Sequence, residues 1–150
     1  MKWLFKSEPE SFSIQMLKKN KITHWDGVRN YQARNFMRDQ MQVSELGFFY
    51  HSNCAEPGIV GVLEIVKTAY PDHTAFDPED PHYDPKSKSD APRWFMVDVK
   101  FKQQFSETIS LTQLRNNPKL KEMLILRNGN RLSITPLTEQ EWQAVLAMGV

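Results

Sequence analysis

The sequence is poor in cysteine and glycine, and both shortages narrow the classes of protein that it can encode. The single cysteine, Cys54, cannot form an internal disulfide or build a thiolate metal site, so a reducing compartment fits best. Only six glycines are present, and none lies in a Gly-x-Gly-x-x-Gly or Walker-type loop. Binding of dinucleotides or nucleoside triphosphates therefore has no motif support.

A large excess of one charge and a long apolar run are also missing. The 19 Lys and Arg residues against 18 Asp and Glu give a formal net charge of +1, which excludes a protein that coats polyanions through bulk charge. The longest apolar stretch, residues 59–66, is much shorter than the roughly 20 residues that span a bilayer. The first apolar run stops after three residues, whereas a secretion signal needs about 7–15. We therefore expect a soluble protein without an export signal, in which any nucleic-acid binding rests on local features.

Hydrophobic periodicity and turn residues predict a mixture of strands and helices. Apolar runs predict strands over residues 2–6, 47–52, 59–70, 93–105 and 131–136, of which the second and third form a hairpin-like pair. Apolar spacing and Ser or Thr caps predict helices over 11–17, 30–41 and from Thr138 onward, with helical turns at 111–115 and 120–126. Proline and aspartate are concentrated in residues 71–92, which predicts a long ordered loop. One α+β domain over residues 1–150 follows, with a mixed sheet, curled or closed, and helices outside it.

Histidine and carboxylate spacing gives little support for catalysis or metal binding. The four histidines, at positions 24, 51, 73 and 82, do not have the spacing of a zinc site, so no metal is expected. A nucleophilic site built from Cys54 or Ser52 with His51 is disfavoured, because adjacent residues of a strand point to opposite faces. The carboxylates of residues 77–90 are interpreted as a solvated acidic turn.

Two short polar stretches beside tryptophan are more informative. Residues 6–9 (KSEP) close the first predicted strand, and residues 25–30 (WDGVRN) form a predicted loop before the second helix. A flat indole with polar neighbours can stack on a planar heterocycle while the polar groups bind the edge of its ring. Stacking of one base contributes about 1–3 kcal/mol, enough to help retain an extruded base without a large basic surface. A second interpretation stays open, in which Trp25 is a half-buried hydrophobic residue beside a helix N-terminus.

The other tryptophans and the arginines are less specific signals. Trp3 and Trp142 are expected in the core. Trp94 begins a predicted strand and lies either at the pocket or beneath the acidic loop. Arg29 and Arg34 fit either a solvated helix face or a track for phosphates.

Several longer motifs resemble those of a known family. They are residues 3–9 (WLFKSEP), 25–37 (WDGVRNYQARNFM), 48–66 (FFYHSNCAEPGIVGVLEIV), 81–85 (PHYDP), 92–94 (PRW) with 97–99 (VDV), and 131–133 (RLS). From Trp3 to about Leu146 the chain resembles an EVE domain, and residues 118–130 are the least similar part. The resemblance implies an α+β, PUA-like fold: a mixed β-barrel of five to six strands flanked by helices, related to the YTH domains that hold a methylated adenine in an aromatic cage.

The resemblance also implies a partner and a set of site residues. It implies binding of a nucleic acid, DNA or RNA, that carries a modified base, in particular a modified cytosine such as 5-methylcytosine, without a cofactor. The matching positions make ten residues candidates for ligand binding: Lys6, Ser7, Trp25, Asp26, Arg29, Asn30, Tyr50, His51, Ser52 and Trp94. Arg29 and Arg34 are expected to steady the nucleic-acid backbone.

Three classes of function remain open from the sequence. The leading hypothesis is a monomeric, non-enzymatic reader that takes one extruded, modified base into the pocket around Trp25. Because the chain lacks the basic N-terminal extension of eukaryotic family members, we expect it to act in the bacterial cytoplasm. The alternatives are an enzyme that acts on RNA or a nucleoside with His51 as acid or base, and an adaptor that binds protein partners through residues 77–90.

Overall fold

The computed structural model describes residues 1–149 as six strands and four helices, so Val150, the last residue of the predicted domain, lies outside the described residues. The strands are β1 (Lys2–Ser7), β2 (Ile22–Trp25), β3 (Leu46–His51), β4 (Gly58–Pro71), β5 (Phe95–Ser110) and β6 (Ile134–Leu137). The helices are α1 (Ile14–Asn20), α2 (Tyr31–Asn35), α3 (Leu111–Arg115) and α4 (Glu139–Met148). A π-helical turn (Phe36–Gln40) extends α2, and 3-10 turns cover His73–Phe76, Pro118–Leu120 and Leu124–Leu126. No helix among the described residues is long and apolar enough to cross a membrane.

The six strands form one mixed sheet in the order β2-β5-β4-β3-β1-β6. β1 and β3 pair in parallel, and the other neighbouring pairs are antiparallel. Within residues 1–149 the hydrogen-bond ladder does not join β2 to β6, so these two strands are the edges of an open sheet. The sheet is nevertheless curled, because Trp25 of β2 packs against Phe5 of β1 with ring centroids 5.1 Å apart.

Alternation along the strands divides the buried side chains into two cores, one on each face of the sheet. The first core includes Trp3, Phe5, Trp25, Phe49 and Ile65, and is covered by α1 and α2. The second core includes Leu4, Phe48, Tyr50, Val145 and Trp142, and is covered by α3 and α4. Consecutive residues of β1 and of β3 therefore belong to opposite cores, which places their side chains on known faces of the sheet.

Most of the predicted elements are confirmed, but the prediction for Trp25 was wrong. Instead of lying in a loop, Trp25 ends the edge strand β2, which pairs with β5 from Ile22 opposite Lys100 to Trp25 opposite Val97. The strand has only four residues and Trp25 is its one buried residue, so it has no alternation that a sequence pattern could reveal.

Several boundaries also differ from the predicted ones. α1 begins at Ile14 because Ser13, and not Ser11, provides the cap: its Oγ accepts a hydrogen bond from Met16 N–H at 3.3 Å. β5 continues past the predicted end at Phe105, and the last strand begins at Ile134 instead of 131. The helical turns predicted over 120–126 are confirmed as two 3-10 turns, Pro118–Leu120 and Leu124–Leu126.

The long loop before β5 is ordered, as predicted, and its carboxylates stabilise consecutive turns. Asp77, Asp80 and Asp84 each accept a hydrogen bond from the N–H two residues ahead, at 3.0, 2.8 and 3.0 Å. Such side-chain turns explain why a segment rich in aspartate and proline holds a fixed path. The loop packs beside the turn that follows β2.

Candidate functional site

A cavity of about 540 Å³ opens at the end of β1, beside the edge strand β2. This volume lies within the range of about 300–1,000 Å³ that is usual for small-ligand sites. The lining residues come from both sheet edges and the loops near them: Lys6, Ser7, Glu8, Ser11, Phe12, Thr23, His24, Trp25, Asp26, Gly27, Val28, His82 and Ser133. Since Ser133 immediately precedes the opposite edge strand, β6, the cavity lies where the sheet fails to close.

Trp25 belongs to the cavity wall and to the first core at the same time. Its residue exposure is only 7%, and three rings meet it edge to face: Phe5 at 5.1 Å, Phe12 at 6.1 Å and Phe49 at 5.4 Å between centroids. Edge-to-face pairs of this kind contribute about 0.5–1.5 kcal/mol each beyond the burial of area. The indole is therefore a core residue that exposes a small part of its surface to the cavity, and its stacking on a base stays a prediction.

Lys6 and Ser7 supply polar groups at the end of β1. The Ser7 hydroxyl donates to the Phe12 carbonyl at 2.8 Å, which leaves its oxygen lone pairs as acceptors toward the cavity. Lys6 forms no ion pair with a carboxylate in the described part of the chain, so its ammonium is available to an anionic ligand. Both residues line the cavity, as expected from the family motif.

Asp26 and Asp72 are neighbouring carboxyl groups whose pKa values shift in opposite directions. Burial, and then the negative charge of Asp72, raises the pKa of Asp26 above its ordinary value of 3.8. Burial acts in the same direction on Asp72, but hydrogen bonds from Thr74, Gly27 and Arg29 outweigh it and hold the pKa of Asp72 below 3.8. Asp72 therefore keeps its negative charge, and Asp26 is the group of the two that takes up a proton first as the pH falls.

Asp72 and Arg29 fasten the turn after β2 to the long loop. The Asp72 side chain is fully buried, and its Oδ2 accepts from Gly27 N–H at 2.8 Å and from Arg29 Nη1 at 3.0 Å. Arg29 also donates to the His82 carbonyl from Nε and Nη2, to the Thr74 hydroxyl from Nη2 and to the preceding carbonyl from Nη1. All five N–H bonds of the guanidinium thus have acceptors in the protein, and a phosphate contact would have to displace one of them. The position of Arg29 is that of a residue that holds the cavity wall in place.

The backbone conformation and the space around position 27 favour glycine in this turn. Its φ of +77° lies in the left-handed region, and a Cβ at this position would lie 2.7 Å from the His82 ring. The turn and the long loop approach each other closely here, so a larger residue would be strained by the positive φ and would require the His82 ring to shift.

Asn30, Arg34 and Trp94 surround the turn without lining the cavity. Asn30 caps α2 with its side chain. The indole N–H of Trp94 donates to Asp84 Oδ2 at 2.6 Å, and its ring stacks on Tyr31 with centroids 4.7 Å apart. The guanidinium of Arg34 lies over the ring of Tyr31, with its central carbon 4.7 Å from the ring centroid. The sequence left two positions open for Trp94, at the pocket or beneath the acidic loop. The structure shows Trp94 packed beneath the acidic loop.

The expected placement of Tyr50, His51 and Ser52 at the cavity is corrected by the structure, because none of the three lines it. Tyr50 belongs to the second core, on the sheet face opposite Trp25. His51 is 8% exposed, its Nε2 accepts from Ile14 N–H at 3.1 Å, and burial lowers its pKa below 6.5. His51 is thus a neutral core histidine that holds α1 against β3, and the enzyme hypothesis loses the acid or base that it named. Ser52 lies just past the end of β3, where its N–H donates to the Ser7 carbonyl at 3.0 Å.

Several lining residues were missed by the sequence analysis. Phe12 and Thr23 are ordinary residue types whose role depends only on the path of the chain around the cavity. Val28, His82 and Ser133 had one signal, since they lie in the 25–37, 81–85 and 131–133 motifs that resemble the family.

The sequence analysis also did not identify a compact group of side chains that are able to ligate a metal. The ligand atoms of His24, Asp26 and His73 all lie within 4.8 Å of one another. Because His73 is distant in sequence from the other two, no spacing rule could connect them; only the packing of the loop against β2 does.

A family model for the EVE domain matches residues 1–148, and the chain belongs to this family. The match confirms the resemblance based on the motifs around Trp3, Trp25, Phe48, His82 and Trp94.

Individual relatives extend the similarity over nearly the whole chain. Human thymocyte nuclear protein 1 is 50% identical over an alignment of 165 positions. The alignment covers 97% of this chain and 72% of the human protein. A solved structure from Pseudomonas syringae is similar with a TM-score of 0.97 at 44% identity, covering 100% of both chains. The structure of the human protein in complex with DNA that contains 5-methylcytosine has a TM-score of 0.92 at 50% identity, covering 99% of this chain and 96% of that one. The α+β, PUA-like fold class is thereby confirmed.

Proposed function

We propose that this protein binds DNA and holds one modified cytosine, such as 5-methylcytosine, in the cavity beside β2 without acting on it chemically. The observation that carries the proposal is the similar human structure, which is bound to DNA containing 5-methylcytosine. The similarity covers 99% of this chain and so includes every segment that lines the cavity. A base inside a duplex cannot reach such a cavity, so the nucleotide is extruded, at a cost of a few kcal/mol for unstacking and unpairing.

Asp26 is the group that we assign to the edge of the cytosine ring. Cytosine presents an exocyclic amine as its donor, and Asp or Glu is the side chain that accepts from it. Asp26 lines the cavity and its side chain is 32% exposed, so one of its oxygens can reach a ligand. Ser7 and the ammonium of Lys6 stand at the other wall, where they complement the acceptor groups of the base or its phosphate.

The apolar part of the cavity suits a methyl group on the base. Phe12, Trp25 and Val28 contribute carbon surface to the lining, next to the polar groups of Asp26 and Ser7. Burial of one methyl group contributes about 0.8 kcal/mol, which corresponds to about a fourfold gain in affinity. Discrimination between methylated and unmethylated cytosine is therefore expected to be modest but measurable.

The DNA backbone contributes little to the affinity in this proposal. The formal net charge is +1, and the guanidinium of Arg29 is already fully hydrogen-bonded within the protein. With Lys6 and Arg34 as the available contacts, the logarithm of the binding constant should fall against the logarithm of salt concentration with a slope of roughly −1 to −2.

Fluorescence anisotropy with labelled oligonucleotides that differ by one C5 methyl group tests the proposal. The wild-type protein should bind the methylated strand more tightly, and Asp26→Ala should weaken binding of both strands. Glu107→Ala is the matched control, since Glu107 is an exposed carboxylate of β5 outside the cavity. Equal affinity for the two strands, or equal effects of the two substitutions, contradicts the proposal.

A further inference from the structure

We propose that His24, Asp26 and His73 bind a divalent first-row transition-metal ion of the Zn²⁺ type at the rim of the cavity. Two imidazoles and one carboxylate are brought together here by two segments of chain that are distant in sequence. Their ligand atoms are mutually within 4.8 Å. This site lies beyond the assignment of the cavity to a modified base.

The backbone places two of the three ligands on one side of the chain. His24 lies in β2 and Asp26 directly follows the strand, and residues two apart in an extended chain project in the same direction. Their donor atoms, His24 Nε2 and Asp26 Oδ2, are already 3.4 Å apart. The His73 ring meets the His24 ring edge to face, with centroids 5.0 Å apart and an interplanar angle of 79°.

The third ligand is held by the network around Asp72, its neighbour in sequence. Asp72 accepts from Gly27 N–H on the β2 side, and its own N–H donates to the Trp94 carbonyl at 2.9 Å. Asp72 also caps the 3-10 turn that begins with His73. The main chain on both sides of the proposed site is thus held by hydrogen bonds to Asp72, so the movement that we expect on metal binding is a rotation of side chains.

The distances fit a transition metal after such a rotation. Zn²⁺ lies about 2.0–2.2 Å from nitrogen and oxygen ligands, so its ligand atoms are about 3–3.5 Å apart in a tetrahedral site. The His24–Asp26 pair meets this distance, and the exposed His73 ring must approach by at most about 1.8 Å. Imidazole ligands favour Zn²⁺, Ni²⁺ or Cu²⁺ over Mg²⁺ and Ca²⁺, which prefer all-oxygen sites. Three protein ligands leave at least one position for water or another ligand.

The proposed metal shares Asp26 and His24 with the cavity lining. A carboxylate that ligates a metal is a weaker acceptor for the amine of cytosine, so metal and base compete. This competition rests on the proposed function, whereas metal binding itself does not.

Calorimetric titration with Zn²⁺, on the full chain free of any affinity tag and of nucleic acid, tests the site. We expect one equivalent to bind, with Mg²⁺ giving no signal, and bound Co²⁺ to show visible absorption bands of a four- or five-coordinate ion. His73→Ala should weaken Zn²⁺ binding by at least about tenfold, since even the loss of a group that only orients a ligand costs 10- to 100-fold. Glu107→Ala is the control, because Glu107 is an exposed carboxylate of β5 outside both the cavity and the group.

The result that overturns the site is an absence of saturable one-to-one binding, or equal Zn²⁺ affinity in wild type and His73→Ala. A second titration, with methylated DNA in the presence of saturating Zn²⁺, tests the competition. We expect Zn²⁺ to weaken DNA binding by wild type but not by His73→Ala. If Zn²⁺ binds and DNA affinity is unchanged, the shared use of Asp26 is refuted while the metal site stands; if DNA does not bind at all, only the proposed function fails.

Discussion

The two cores of this protein are built from the same residue types, yet the cavity of about 540 Å³ beside β2 borders only the first. In the second core, Phe48 of β3 and Trp142 of α4 stack with centroids 4.0 Å apart. The packing of α4 against the sheet leaves Trp142 only 3% exposed. In the first core, Trp25 is almost as buried, at 7%, and meets its neighbours edge to face. Aromatic content therefore does not distinguish a binding region from a packing region.

The difference lies in what surrounds each tryptophan. Trp142 lies within a helix that begins with a capping box, so the polar groups near it are used by the backbone. Trp25 ends an edge strand, and a carboxyl group with a raised pKa, Asp26, follows it. The polar turn beside the incomplete sheet keeps Asp26 accessible to a ligand, whereas the capping box of α4 uses its polar side chains for the backbone.

The largest expected effect separates the two tryptophans directly. Trp25→Ala and Trp142→Ala should each lower the free energy of unfolding by about 3–5 kcal/mol, because each removes a large buried ring. Urea denaturation measures this cost. At low temperature, where both variants retain folded protein, only Trp25→Ala should lose affinity for methylated DNA in an anisotropy assay. Equal loss of affinity in the two variants would show that the contrast between the cores is not functional.

The next largest effect concerns the network that supports the cavity wall. Asp72→Ala should lower the free energy of unfolding by about 2–3 kcal/mol, because it leaves Gly27 N–H and the Arg29 guanidinium without their buried acceptor. The same substitution should weaken DNA binding, since the turn that carries Asp26 loses its anchor. Asp77→Ala, which removes an exposed turn-forming carboxylate of the same loop, should change stability by less than about 1 kcal/mol and leave binding intact. A similar result for both variants in thermal and binding assays is incompatible with this role of Asp72.

A smaller effect is expected from Asp26, and it falls on binding alone. Asp26→Ala should reduce affinity for methylated DNA by about 1–2 kcal/mol, or about five- to thirtyfold. Its stability should be unchanged or slightly higher: a carboxyl whose pKa is raised by folding destabilises the folded state when it is ionised at neutral pH. Asp26→Asn keeps an acceptor oxygen at the same position and should retain most of the affinity. If Asn binds as poorly as Ala, Asp26 does not act as an acceptor.

The smallest effect concerns His51, the core histidine of the first sheet face. Burial lowers its pKa below 6.5, so the unfolded chain takes up this proton more readily than the folded protein. The stability contributed by neutral His51 is therefore full above about pH 6.5 and is lost as the pH falls through the lower, folded-state pKa. His51→Gln, which can still accept from Ile14 N–H, should reduce this part of the acid dependence in urea titrations across pH. If the pH dependence of stability is the same in His51→Gln as in wild type, a group other than His51 takes up the proton.

The fold was largely predictable because most elements carry a local pattern. β3 and β4 show apolar runs on either side of a Pro-Gly turn, and α4 begins with Thr138 and Glu141 in a capping box. β2 was not predictable in this way, since a short edge strand is defined by its pairing with β5 rather than by its own sequence. For the same reason, the sequence did not reveal that the sheet stays open beside Trp25.

The site could be predicted only where residues with suitable side-chain chemistry are neighbours in the sequence. Lys6, Ser7, Trp25 and Asp26 lie next to each other in pairs along the chain, and the structure brings the two pairs to one cavity. Tyr50 lies on the sheet face opposite the cavity because side chains alternate along β3. The sequence predicts this alternation but does not show which of the two faces borders the cavity. Residues such as His73 and Ser133 come to the site through tertiary packing, which no single-sequence spacing contains.

The most direct test of the central claim is a crystal structure of this protein bound to an oligonucleotide with a single 5-methylcytosine. The quantity to measure is the distance from the exocyclic amine nitrogen of that base to the nearest carboxylate oxygen of Asp26. The account predicts an extruded base inside the cavity, with this distance near the roughly 2.7–3.2 Å of a hydrogen bond. A modified cytosine that stays stacked in the DNA, or that binds outside the cavity beside β2, would contradict it.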